Sequence, residues 1–110
     1  MARDEGLEEL IRADLPPGLA LSETAMFGGR AWLLNGHLII GARSDGMLAR
    51  LGKGRDAWAH GLPEITQMIS KGRPMEGWVR AGPAAYGDDA LRRRLIAAAI
   101  AFASMLPPKR

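Results

Sequence analysis

The chain has 110 residues, no cysteine and a formal net charge of +3. A chain of this length builds one hydrophobic core, so we expect a single domain over residues 1–110. Without cysteine there is no disulfide, no thiolate ligand for zinc or an iron–sulfur cluster and no thiol nucleophile, which excludes several classes of redox and protease chemistry.

Charge is distributed unevenly, with six acidic and two basic residues among the first 24 and a basic remainder. A net charge of +3 steers nucleic acids only weakly unless the basic groups cluster. The N-terminal residues lack the apolar core of a signal peptide, and the most apolar run, 95–106, is shorter than the roughly 20 residues that span a bilayer. We therefore expect a cytoplasmic protein without a membrane segment.

The predicted elements begin with an amphipathic helix over 4–15, which Pro16-Pro17-Gly18 ends. Strands follow over 31–34, 37–41 and 47–51, and Asn35-Gly36 is a strong type I′ hairpin signal between the first two. The third strand alternates in polarity and is expected to be half solvated. A short helix over 55–61, strands over 65–70 and 75–81 around a loop at Lys71 to Pro74, and a helix over 89–105 capped by Asp88 complete the chain.

The order α-β-β-β-α-β-β-α predicts an α+β fold, in which helices cover an antiparallel sheet. Several short motifs in this order resemble the N-terminal domain of the TfoX family, regulators of competence genes in bacteria. The resemblance covers roughly residues 22–109 and is carried by Met26-Phe27-Gly28-Gly29, Asn35-Gly36-His37, Leu48-Ala49-Arg50, Gly72-Arg73-Pro74-Met75, Gly77-Trp78-Val79 and the Ala-rich last helix.

The resemblance implies a fold similar to that of secretion chaperones and brings no catalytic mechanism with it. Longer members add a C-terminal helical domain that resembles DNA-binding modules. The function expected here is a non-enzymatic, regulatory domain that binds another protein or a second copy of itself, with no cofactor.

A candidate groove is suggested by the glycine pair and by the Arg-Pro motif. Gly28-Gly29 could let a phosphate or carboxylate approach the backbone, with Arg30 as counter-charge; the favoured interpretation is that they form a bulge or let the first helix lie close to the first strand, while Phe27 fills the core. We predict that the groove rim and fold determinants are Met26, Phe27, Gly28, Gly29, Arg30, Arg73, Pro74 and Trp78. Binding of a small ligand or anion is the alternative function.

Nucleic-acid binding is a third hypothesis, which requires Arg43, Arg50, Lys71 and Arg80 to form one patch with Trp78 as a stacking platform. Other chemistry has little support. His37 is not followed at i+3 or i+4 by a ligand-type side chain, His60 is interpreted as a helix-end histidine, and no serine has a nucleophile-elbow context. No catalytic or metal residue is therefore predicted.

The last helix has two unusual features. Its segment 96–102 is apolar nearly all round, which predicts packing on two sides, against the first helix or another copy of the chain. Arginines 92–94 lie in its first turns, where the helix dipole disfavours cations. We expect them to meet acids of the first helix, such as Glu5, Glu8 or Glu9, in the same chain or a partner. The residues predicted for a homodimer interface are Arg92, Arg93, Ile96 and Ile100.

Overall fold

Ten helices and strands make up the computed structural model, which describes residues 5–26 and 29–107. In chain order they are α1 (Glu5–Asp14), β1 (Leu21–Met26), β2 (Gly29–Leu34), β3 (His37–Arg43), β4 (Gly46–Arg50), α2 (Ala57–His60), β5 (Ile65–Ser70), β6 (Arg73–Ala81), α3 (Pro83–Tyr86) and α4 (Asp89–Ser104). The strands form one antiparallel sheet in the order β1-β2-β3-β4-β6-β5, which confirms the predicted α+β class.

Turn chemistry sets the sheet register. Asn35 and Gly36 have φ values of 52° and 84°, as the type I′ turn requires. Lys71 and Gly72 repeat that geometry at 52° and 76° between Ser70 and Arg73, which pair. The predicted loop at residues 71–74 is therefore a two-residue turn, and Pro74 lies inside β6.

The main core lies between the sheet and two helices. Leu7 and Ile11 of α1 and Leu95 and Ala99 of α4 are buried there, together with strand residues such as Ile40. Asp88 caps α4 as predicted, accepting a hydrogen bond from the Leu91 backbone N–H at 3.1 Å. No helix within the described residues is both long and apolar enough to cross a membrane.

Strand β4 differs from the prediction of a half-solvated strand, because Gly46–Ala49 are all buried. It lies between β3 and β6, and on it Leu48 packs with Met68 and Trp78 in a second, smaller hydrophobic cluster. The alternating polarity of the sequence predicted that one face of β4 would be solvated. The neighbouring strands supply enough apolar surface to bury both faces.

Two elements were not predicted. The four-residue α3 begins at Pro83, in a segment expected to be a turn. The edge strand β1 pairs along its whole length with β2, from Leu21↔Leu34 to Met26↔Gly29. Its sequence lacks the apolar alternation that marks a half-buried strand. In the structure, all its residues except Leu21 are exposed.

Candidate interaction surfaces

Helices α1 and α4 are joined by a buried ion pair. Arg92 donates from Nε to Oδ2 of Asp14 at 2.6 Å, and the two side chains are only 3% and 5% exposed. Arg93 donates to the other oxygen of Asp14 at 3.2 Å. Arg92 also bonds the Tyr86 carbonyl oxygen at 2.9 Å and reaches Asp89 Oδ1 at 2.9 Å, so its guanidinium is satisfied inside the chain.

The expected contact between these arginines and α1 is therefore made, but with Asp14 rather than with Glu5, Glu8 or Glu9. Two of those acids already have a partner on their own helix, since Arg12 lies 3.6 Å from Glu8 and 3.3 Å from Glu9. Spacings of three and four residues make such pairs local. Asp14, the last residue of α1, is left to meet α4.

The ion pair shifts both pKa values towards the charged forms. Burial alone would raise the pKa of Asp14, but the hydrogen bonds from Arg92 and Arg93 outweigh it and lower that pKa. Burial would likewise lower the pKa of Arg92, and the hydrogen bonds to Asp14 and Asp89 reverse that effect and raise it. Both groups stay ionised at neutral pH.

The predicted dimer interface on α4 must be corrected in part. Arg92 and Ile96 are each 2% exposed, so neither offers side-chain surface to a partner. Arg92 is paired with Asp14, and Ile96 belongs to the main core. Arg93 remains 64% exposed and Ile100 is half-buried.

A groove of about 330 Å³ does lie beside these residues, and we call it the α4 groove. Its lining consists of Asp14, Pro16, Arg93, Ile96, Ala97, Ile100 and Ala101. Ala97 and Ala101 are exposed on α4. They are the apolar residues on the outer side of a helix that is apolar nearly all round. Of the predicted interface residues, Arg93 and Ile100 therefore offer surface in this groove, whereas Ile96 lines it but is only 2% exposed.

The predicted groove rim is not brought together. Met26, Gly29 and Arg30 lie where β1 meets β2, whereas Arg73, Pro74 and Trp78 lie on β6, and β3 and β4 separate the two sets. Three strand spacings amount to about 14 Å. Phe27 and Gly28 lie outside the described residues. The six predicted rim residues that the structure describes therefore do not form a single groove rim.

Gly29 has a structural role in the close packing of two strands. A Cβ on Gly29 would lie 1.9 Å from the carbonyl oxygen of Ala42 on β3, so no side chain fits there. Its neighbour Arg30 already lies 3.5 Å from Glu23. These contacts favour the fold-determinant interpretation of this motif over an anion site.

Three basic residues of the nucleic-acid hypothesis already have partners within the chain, and two of them, Arg43 and Arg80, share Asp45. Trp78 is 7% exposed and packs with Leu48 and Met68, so its ring is not an accessible stacking platform. Arg43 makes two hydrogen bonds to Asp45, at 2.8 and 2.7 Å, and Arg80 donates to the Asp45 backbone oxygen. Arg50 lies over the Phe102 ring, 5.2 Å from its centroid.

The histidines have structural partners. His37 Nε2 donates to the carbonyl oxygen of Pro107 at 2.6 Å, which ties the β2–β3 turn to the segment after α4. His60 Nε2 lies 2.9 Å from Asp56 Oδ2, four residues upstream. The sequence analysis missed this pair, although Asp56 lies about one helical turn before His60. Within residues 5–26 and 29–107, no three histidine, aspartate or glutamate side chains are grouped to hold a metal ion.

The exposed strand β1 is the second uncovered surface, and we call its unpaired side the β1 edge. The one acid of β1, Glu23, is bound by Arg12 of α1 through two hydrogen bonds, at 2.9 and 2.7 Å. The hydrogen bonds from Arg12 outweigh burial and hold the pKa of Glu23 below its usual value. Sequence reasoning missed this surface, although Leu21–Met26 contains no residue that disfavours a strand as strongly as proline or glycine.

Comparison with known proteins gives no identification: the chain matches no protein family, no curated relative and no solved structure.

Proposed function

We propose that the protein is a non-enzymatic, cytoplasmic protein-interaction domain of the TfoX N-terminal type and that it works as a homodimer. The observation that carries this proposal is the β1 edge. Strand β1 is exposed on both faces of the sheet from Ser22 to Met26, and among residues 5–26 and 29–107 it pairs on one side only, with β2. An exposed sheet edge is a ready template for pairing with another chain.

The assignment to the TfoX N-terminal type rests on the motifs that resemble that family. Several motif residues have a clear purpose in this fold, as Asn35-Gly36 does in its turn. Gly77 has a φ of 84°, and a Cβ on it would lie 2.6 Å from the Lys53 backbone nitrogen. Because these motif residues stabilise the fold, we infer that the function resides in the exposed surfaces. That is the arrangement expected of a domain that acts by binding.

The proposal is tested by measuring the solution mass of the full chain. Sedimentation equilibrium at several loading concentrations, from about 1 to 100 µM, should fit a monomer–dimer equilibrium, because dissociation constants in that range are typical of modest interfaces. A mass equal to one chain at every concentration would overturn it.

A further inference from the structure

We propose that β1 pairs antiparallel with β1 of a second copy about a two-fold axis that passes beside Thr24, which joins two six-stranded sheets into one. This inference rests on the proposed homodimer and names its surface and register. It places the interface on β1, whereas the sequence analysis predicted it on α4.

The first step is to decide which backbone groups of β1 point outward. The Asn35 N–H donates to the Ala20 carbonyl oxygen at 3.2 Å, so the pair Ala20↔Asn35 exchanges hydrogen bonds. In an antiparallel ladder such pairs alternate with pairs that do not exchange bonds. Ser22, Thr24 and Met26 therefore bond towards β2, and the N–H and C=O groups of Leu21, Glu23 and Ala25 point away from the sheet.

The second step is the register. Two outward-facing strands can bond only if odd-numbered residues lie opposite odd-numbered residues, which places a single residue on the two-fold axis. With Thr24 on the axis, Glu23 pairs with Ala25 of the partner subunit, and the two equivalent pairs exchange four backbone hydrogen bonds.

The neighbouring register centred on Glu23 is less favourable. With Glu23 on the axis, two carboxylates lie directly opposite each other, which destabilises a strand pair. That register also needs the Leu21 N–H, which already donates to the Leu19 carbonyl oxygen at 2.8 Å. The Thr24 register uses only the outward groups of Glu23 and Ala25 and sets two threonines side by side, a favourable cross-strand pair.

The third step is that β1 lacks the features that protect sheet edges. Natural edges carry lysine, proline, a bulge or a covering element. The sequence of Leu21–Met26 contains neither lysine nor proline, and its pairing with β2 runs without a register shift. The charge of Glu23 is balanced by Arg12 and by Arg30. The opposite edge, β5, has a register shift between Gln67 and Ile69 and is contacted by α2.

The register is tested by disulfide cross-linking, for which the cysteine-free chain is well suited. In a non-hydrogen-bonded antiparallel pair the Cα atoms are about 4.5 Å apart, within the range that a disulfide bridges. Thr24→Cys should therefore give a covalent dimer on treatment with diamide. In the same dimer the two copies of Ser22 would be about 14 Å apart, too far for a disulfide, although Ser22 is equally exposed.

We expect Thr24→Cys to cross-link at least about tenfold faster than Ser22→Cys and than Ala97→Cys in the α4 groove. If Ala97→Cys cross-links fastest, the protein dimerises through α4 and the β1 inference is wrong, while the proposed function stands. Equal slow rates for all three, together with a monomer in sedimentation, would overturn both.

A second variant tests the edge without cross-linking. Ala25→Pro removes an N–H that points outward, so it takes no hydrogen bond from the β1–β2 ladder, and edge strands tolerate proline in that orientation. The variant should keep the circular dichroism spectrum and sediment as a monomer, whereas Ala97→Glu should remain a dimer. A dimeric Ala25→Pro protein would contradict the inference.

Discussion

At the scale of single residues, the ion pair with Asp14 explains why α4 has an arginine, Arg92, near its N-terminus. A cation there is opposed by the helix dipole by a few tenths to about 1 kcal/mol. Hydrogen bonds to Asp14 and the Tyr86 carbonyl, with Asp89 close by, compensate its charge in the interior. The sequence predicted that these arginines meet an acid of α1, but the choice of Asp14 depends on how the two helices cross, which no local pattern encodes.

Asp14→Asn should destabilise the protein by about 3 kcal/mol, because removing one partner of a buried pair leaves the other charge uncompensated. Asp89 keeps part of the compensation, which places the loss at the low end of the usual range. Urea denaturation at neutral pH measures it. The matched control is Glu76→Gln, whose partner Lys53 lies 3.3 Å away in a pair that is 78% and 67% exposed. We expect the control to change stability by at most about 0.5 kcal/mol, and equal losses in both variants would contradict the argument.

The same pair makes stability depend on pH. The pKa of Asp14 is lowered from 3.8 in the folded protein, so the unfolded chain takes up the proton first as the solution is acidified. The contribution of Asp14 is therefore complete above about pH 5 and is lost as the pH falls through its folded pKa. The urea midpoints of the wild type and of Asp14→Asn should converge as the pH is lowered. A difference between the two midpoints that increases at low pH would contradict the prediction.

At the scale of elements, buried strands and capped helices could be read from sequence and β1 could not. Residues 65–70 were predicted as a strand with the bounds that the structure has for β5, because a turn signal at Lys71-Gly72 ends that segment. β1 has no apolar alternation in its sequence, and its strand conformation comes from pairing with β2. Non-local pairing of this kind overrides weak local preference. The two uncovered surfaces thus include one predicted in part, the α4 groove, and one not predicted at all.

Substitutions at two glycines test the contact that α4 makes with the loop that follows β4. Gly52 has a φ of 101°, and a Cβ on it would lie 2.5 Å from Cδ1 of Phe102. Gly54 has a φ of 81° and nothing within 4 Å of the same position. Gly54→Ala should cost about 1 kcal/mol from backbone strain alone, and Gly52→Ala about 2 kcal/mol more from overpacking.

Thermal unfolding of the two glycine variants gives the comparison. The double change Gly52→Ala with Phe102→Leu should recover part of the loss if the ring is the obstacle. Equal losses for the two single variants would mean that α4 can move away from the loop without cost.

At the scale of the whole molecule, the proposed dimer links stability to concentration. A chain that is stabilised by binding a second copy melts at a higher temperature when more of that copy is present. The melting temperature should rise by several degrees between about 1 and 100 µM protein. For Ala25→Pro it should not change over that range, and a wild-type value independent of concentration would contradict the homodimer.

The Arg92–Asp14 pair also has a kinetic consequence, since it joins residues 78 positions apart in the chain. The hairpins β2–β3 and β5–β6 close over two-residue turns, whereas the contact of α1 with α4 closes a loop that contains all six strands. Closing that long loop has an entropic cost that local hairpins avoid. Docking of α1 therefore belongs to the late side of the folding barrier, where the loss of a contact accelerates unfolding and leaves the folding rate nearly unchanged.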